Sequence, residues 1–211
     1  MQITEQKIAV LPGGLCTVDG VEASGIHSGF KSHDKDLALI YFPDGATVTG
    51  VFTRNKVKAH GVLYDMAMLK DFSSFKAILV NSGNANACNG LNGEQDVHTM
   101  TESLAQKLGI NAHEVLVSST GVIGEPLNLK PFHSSLDRLV THLSKDSATD
   151  AAEAIMTTDT VPKELSFSAD IGGQQVHFGA MIKGAGMIHP NMGTMLSYIT
   201  DRKSTRLNSS H

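Results

Sequence analysis

The chain has 211 residues, 41% of them hydrophobic and 18% charged, a balance that fits a folded domain and is too apolar for a disordered one. A formal net charge of −4 excludes a dominant phosphate-binding surface, so no nucleic-acid partner is expected. No apolar run approaches the roughly 18 residues of a membrane span, and Glu5 and Lys7 interrupt the start where an export signal needs its apolar stretch, so the expectation is a cytoplasmic protein.

In chain order, Asp36 to Phe42 and Ala46 to Thr53 are β-rich runs separated by the turn residues Pro43, Asp44 and Gly45. Ala77 to Val80 is a short apolar run, predicted as a strand buried on both faces. A helix follows, with Val97, Met100, Leu104 and Leu108 on one face and Gly109 as its stop. Asn111 and Glu114 resemble a capping pair, and Val115 to Val117 reads as a strand. Pro131 opens a second helix that buries Phe132, Leu136, Leu139, Val140 and Leu143. The alanine-rich Asp150 to Met156 is a third. Leu165, Phe167, Ala169 and Ile171, then Val176, Phe178, Ala180 and Ile182, alternate with polar residues on either side of Gly172-Gly173, which predicts a β-hairpin. Met195 to Ile199 reads as the start of a strand. From Asp201 to His211 a single apolar residue, Leu207, stands among polar ones, and this stretch is predicted to be a disordered tail. A strand running into a polar stub suggests a chain cut short. The class is α+β with a large antiparallel component.

Cys16 and Cys88 read as free thiols in a reducing compartment. The ten histidines are scattered and none makes a helical metal-binding pair, so no metal is expected. Three glycine-punctuated segments could carry chemistry. Asn81 to Gly90 follows the buried strand and reads equally as a turn of asparagines tolerant of the left-handed region. Ser118 to Pro126 follows another strand, and Thr-Gly at a strand end can aim a hydroxyl and an N–H into a cleft, as an oxyanion hole requires, or be a plain turn. In the third, Lys183 to Leu196, Gly193-Thr194 sets a hydroxyl beside an unhindered carbonyl. Attack of the one on the other and hydrolysis of the ester would leave an N-terminal threonine, whose α-amine can act as base for its own hydroxyl.

Together the strings NSGNANAC, SSTGVIGEPL, AEAIMTTDTVPK and KGAGMIHPNMGTML resemble the ornithine acetyltransferase family, the glutamate N-acetyltransferases of arginine biosynthesis, from about Ile8 to Thr200. The resemblance implies a mixed sandwich of sheets flanked by helices, akin to that of self-processing aminopeptidases with an N-terminal nucleophile. It implies a precursor that cuts itself, so that residues 1–193 correspond to an α chain and 194–200 to the start of a β chain, with 201–211 as a tail outside the family pattern. By motif, Thr194 is the nucleophile and Gly193-Thr194 the cleavage point, Thr120 and Gly121 are the oxyanion pair, and Thr157 and Lys183 contact substrate together with Thr194. The implied substrates are N-acetylornithine and glutamate, with acetyl-CoA as a second donor in bifunctional members and no cofactor. The implied partner is the chain's own β chain, in an α2β2 heterotetramer. The family's β chain continues for roughly as many residues again, so this chain alone is expected to be poorly soluble and inactive. Two other readings stand beside this one: an amidohydrolase or aminopeptidase that uses the same threonine with water as acceptor, and an inactive fragment that needs a separately made β chain.

Overall fold

The computed structural model describes residues 8–184 and 195–203 of the chain. In chain order they form β1 (Ile8–Leu11), β2 (Glu22–Ile26), β3 (Leu37–Ala46), α1 (His60–Asp71), β4 (Phe75–Asn84), α2 (Asn92–Leu108), β5 (Val115–Val122), α3 (Lys130–Thr141), α4 (Ala148–Ala154), β6 (Lys163–Ile171), β7 (Gln174–Lys183) and β8 (Leu196–Lys203). Two four-stranded sheets flanked by helices result, the α+β class that the sequence predicts.

The central sheet has the order β2-β3-β4-β5, antiparallel except for the parallel pair β4 and β5. Parallel neighbours need a crossover, and α2 provides it, ending at Gly109 with φ 68. Ala77 and Leu79 point into one hydrophobic core with Val97, Met100 and Leu104 of α2 and Phe132 and Leu139 of α3. Ile78 and Val80 point into the other, with Leu15, Ala151, Ile155 and Met181. That double burial is why the run Ala77 to Val80 does not alternate with polar residues. At the edge of the sheet α1 lies along β5. The buried Asp65 accepts the Val117 N–H at 3.0 Å, and a β-carbon on Gly61 would stand 2.8 Å from the Val117 carbonyl oxygen.

The outer sheet has the order β1-β6-β7-β8, all antiparallel. The predicted hairpin is β6 and β7, turned by Gly172 and Gly173, both at positive φ. Its inward face mixes small and polar residues with one core side chain: Ser166 and Met181 are buried, and a β-carbon on Gly179 would stand 2.4 Å from the Gly14 carbonyl oxygen. Its outward face is apolar. Phe167 and Phe178 stack there at 4.8 Å, Leu165 and Ile182 are exposed, and Val10 and Ile199 are 75% and 71% exposed. β8 pairs with β7 over eight positions, from Lys183 opposite Leu196 to Val176 opposite Lys203.

The structure corrects three expectations and adds one helix. Ala46 to Thr53 is not a second strand: β3 continues through Pro43, Asp44 and Gly45 with a register shift after Tyr41 and ends at Ala46. The turn residues bend an edge rather than close a hairpin. α1 is an additional helix, and it buries only Gly61 and Asp65, so it carries no apolar stripe. β8 runs three residues past Thr200, so Asp201, Arg202 and Lys203 are strand where the sequence predicts tail; Thr200 Oγ1 donates to the Leu15 carbonyl and Arg202 to that of Asp19. Among Asn81 to Gly90, Cys88 at φ 58, and no asparagine, takes the left-handed conformation.

Candidate active site

β4 and β5 run side by side and end together, with Ser82 opposite Thr120 and Gly83 opposite Gly121. The glycines are required there. A β-carbon on Gly121 would stand 2.3 Å from the Gly83 carbonyl carbon, one on Gly83 would stand 2.8 Å from the Phe30 carbonyl oxygen, and their φ angles are +130 and +107. This close approach leaves Thr120 buried at the strand end, with a hydroxyl that takes no hydrogen bond among the described residues. Ser82 fixes the same end from below. Its N–H donates to the Asp36 carbonyl at 2.8 Å, and its hydroxyl donates to the Ala154 carbonyl at 2.5 Å, which ties α4 and the chain leaving it to β4.

That chain carries Thr157 and Asp159. One Asp159 oxygen accepts the Gly184 N–H at 2.9 Å and the Lys163 ammonium, and the other accepts the Thr157 N–H at 3.4 Å. Burial pushes the Asp159 pKa up, but these donors outweigh it and hold the group below the ordinary carboxylate value. Asp159 thereby clamps Thr157 to the end of β7, where Lys183 is 2% exposed and its ammonium donates to the Gly184 carbonyl at 2.9 Å. Burial lowers the Lys183 pKa, Asp159 opposes that, and Lys163 adds to it; the net direction is down.

A third wall comes from the loop between β2 and β3. The fully buried Asp36 accepts N–H bonds from Ser28 at 2.6 Å and from Gly29 and Lys31 at 2.9 Å, and the Ser28 hydroxyl at 2.6 Å. Burial raises its pKa, and the four donors outweigh that and bring it below normal. The loop so pinned lays the Lys31 stem across Gly83, 3.1 Å from where a β-carbon would be. Burial lowers the Lys31 pKa, Asp36 and Asp34 oppose it, and Lys183 adds to it, so the two lysines feel one another.

The structure therefore brings Thr120, Gly121, Thr157 and Lys183 to one end of the sandwich. Gly193 and Thr194 lie outside the described residues; β8 begins two residues after Thr194, with Leu196 opposite Lys183. Asp159 and Lys31 are not found from the sequence, because single charges in loops read as solvated. For Asp159 the available signal is its place two residues after Thr157 in the motif Met156-Thr157-Thr158-Asp159.

The family model described as the ArgJ family matches residues 22–206. Over 200 residues the chain is 44% identical to the arginine biosynthesis bifunctional protein ArgJ of Prochlorococcus marinus (strain NATL2A), covering 94% of this chain and 48% of that protein. It is 40% identical to the ArgJ of Bacillus subtilis (strain 168), covering 95% of this chain and 49% of that protein. The chain thus spans about half the length of the curated relatives it matches. Among solved structures, it superposes on ArgJ from Bacillus halodurans with a TM-score of 0.83 at 35% identity, covering 92% of this chain and 100% of that one. The ornithine acetyltransferase of Mycobacterium tuberculosis complexed with ornithine gives 0.77 at 35% identity, covering 90% and 100%.

Proposed function

Starting from the fact that the chain belongs to the ArgJ family, we propose that it supplies half of an acetyltransferase that moves an acetyl group from N-acetylornithine to glutamate in cytoplasmic arginine biosynthesis. The observation that carries this reading is the end of the β4–β5 pair, where Thr120 and Gly121 stand beside a lysine-lined wall and the strand that follows Thr194 starts opposite Lys183. Cleavage between Gly193 and Thr194 frees the threonine α-amine. That amine takes the proton of the Thr194 hydroxyl as the oxygen adds to the acetyl carbon of N-acetylornithine. The negative oxygen so formed is met by the Thr120 hydroxyl and the Gly121 N–H. Collapse breaks the carbon–nitrogen bond, ornithine leaves with the proton on its amine, and an acetyl-threonine ester remains. The glutamate amine then adds to the ester and releases N-acetylglutamate. Lys183, a neighbouring cation, favours the neutral form of the Thr194 amine, and Thr157 is set to contact substrate. No cofactor takes part; acetyl-CoA would enter only as a second donor.

The partner in this reading is a β chain built from the half that the curated relatives have in addition, assembled as an α2β2 heterotetramer. The open apolar face of the outer sheet supports it, since a soluble protein covers such a surface. The test is a polypeptide extended to the relatives' length. Its mass spectrum should show two chains, the second starting at Thr194, and Thr194→Ala should remove both cleavage and transfer. An uncut wild type that is fully active would overturn the proposal. Release of acetate at full rate without glutamate would make the protein a hydrolase instead.

A further inference from the structure

We infer that Lys31 binds the α-carboxylate that both substrates carry and so sets the specificity of the acetyl-transfer site; the inference rests on the acetyl-transfer reading above. The two amino acids that visit the site in turn differ in their side chains. What they share is a carboxylate one carbon from the amine that gives up or receives the acetyl group. A site that serves both therefore needs a cation fixed close to the oxyanion pair, and it needs that cation uncommitted.

Lys31 meets both requirements. Position follows from contiguous contacts: Gly121 abuts the Gly83 carbonyl, and the stem of Lys31 lies on Gly83. A side chain at Gly83 would press on that stem, and one at Gly121 would push into the Gly83 backbone beneath it. The backbone of Lys31 is held by Asp36, so the stem starts from a fixed point. Its ammonium donates to the Lys35 carbonyl at 2.7 Å, which uses one of three protons. Among the described residues no carboxylate stands within 4.0 Å of that ammonium. Of the acids whose charge reaches it, Asp36 is occupied by the loop's own donors and Asp159 by Gly184 and Lys163, while Asp34 makes no ion pair with it. Lys183 is enclosed at the end of β7 against Gly184, whereas Lys31 is half-buried and open to an arriving ligand. A half-desolvated ammonium with protons to spare is a strong receptor for a carboxylate.

The experiment uses the polypeptide extended to the relatives' length, with Lys31→Met and Lys31→Arg. Donors are N-acetylornithine and N-acetyl-1,4-diaminobutane, the same molecule without its carboxylate. Lys31→Met should raise KM for N-acetylornithine and for glutamate by about tenfold to a hundredfold, the range for one lost charged hydrogen bond. Its kcat should stay close to wild type, and its kcat/KM for the decarboxylated donor should not change. Lys31→Arg should recover most of the loss. An equal fall on both donors, a fall in kcat alone, or no change in an active enzyme overturns the assignment and leaves the acetyl-transfer reading intact. A wild type that transfers no acetyl group overturns both.

Discussion

The two sheets of this molecule share one core and differ in what lies on their other face. The central sheet is closed on both sides, by α2 and α3 on one and by α4 and the outer sheet on the other. Among the described residues the outer sheet is closed only inward, where Gly179 meets the Gly14–Leu15 backbone and Ser166 donates to the Leu11 carbonyl, and its outward side exposes Leu165, Ile182 and Ile199. In the central sheet apolar residues mark the inside. In the outer sheet they stand on both sides, Met181 in the shared core and Leu165, Ile182 and Ile199 on the open face. Alternation in a strand therefore says that the two faces differ, and it takes the neighbouring layers to say which is the core. The proposed oxyanion pair lies in the closed sheet: Thr120 and Gly121 are held by packed backbone, which is what a fixed pair of donors needs.

The largest expected effect tests the closed sheet. Leu79→Ala removes a fully buried side chain and should cost about 3 kcal/mol, read by urea denaturation. A loss under about 1 kcal/mol would mean that this core is loose. Of the same order is the effect on catalysis: Thr120→Ala in the extended polypeptide should slow acetyl transfer by about 10²–10³ with the melting curve unchanged. An unchanged kcat would move the oxyanion hole elsewhere.

A pH series probes the edge of the same sheet. Burial, against the bond from the Val117 N–H, pushes Asp65 up to about 8. The folded state then prefers the protonated carboxyl more than the unfolded state does. Its contribution is complete below the ordinary carboxylate value near 3.8 and fades as pH rises toward 8. Asp65→Asn cannot ionise, so the variant should gain stability relative to wild type as pH rises from about 4 to about 8 and hold that gain above it. Parallel stability curves across that range would refute the burial argument. The smallest effect belongs to the open face. Leu165→Ser in the chain alone should change stability by less than about 0.5 kcal/mol, and by about 2 kcal/mol once the second half is present to cover it. A large loss in the chain alone would erase the contrast between the sheets.

Much of this was legible in sequence where a single local rule decides. Gly109 ends α2, Gly172-Gly173 turns β6 into β7, and the capping box of Asn111 and Glu114 is present. α1 was not legible because its task is to place one carboxyl and one glycine against a strand edge, which leaves no hydrophobic period. Thr120, Gly121, Thr157 and Lys183 could be picked by motif. Their assembly could not, since it runs through polar residues joined across the chain, Asp159 to Gly184, Ser82 to Ala154, and the Asp36 carbonyl to Ser82. Lys31 escapes for the same reason: its importance lies in a contact with a glycine, and glycine leaves no pattern for its neighbour.

The ladder between β7 and β8 joins the stretches on either side of Gly193-Thr194. In an enzyme cut at that bond, eight cross-strand positions do the work of the lost covalent link, and the piece beginning at Thr194 stays in register with Lys183. The cut changes the molecularity of unfolding, because one folded particle now separates into two chains. Its melting temperature should then rise with protein concentration, and more steeply than that of an uncut variant, which keeps only the contact between its two copies.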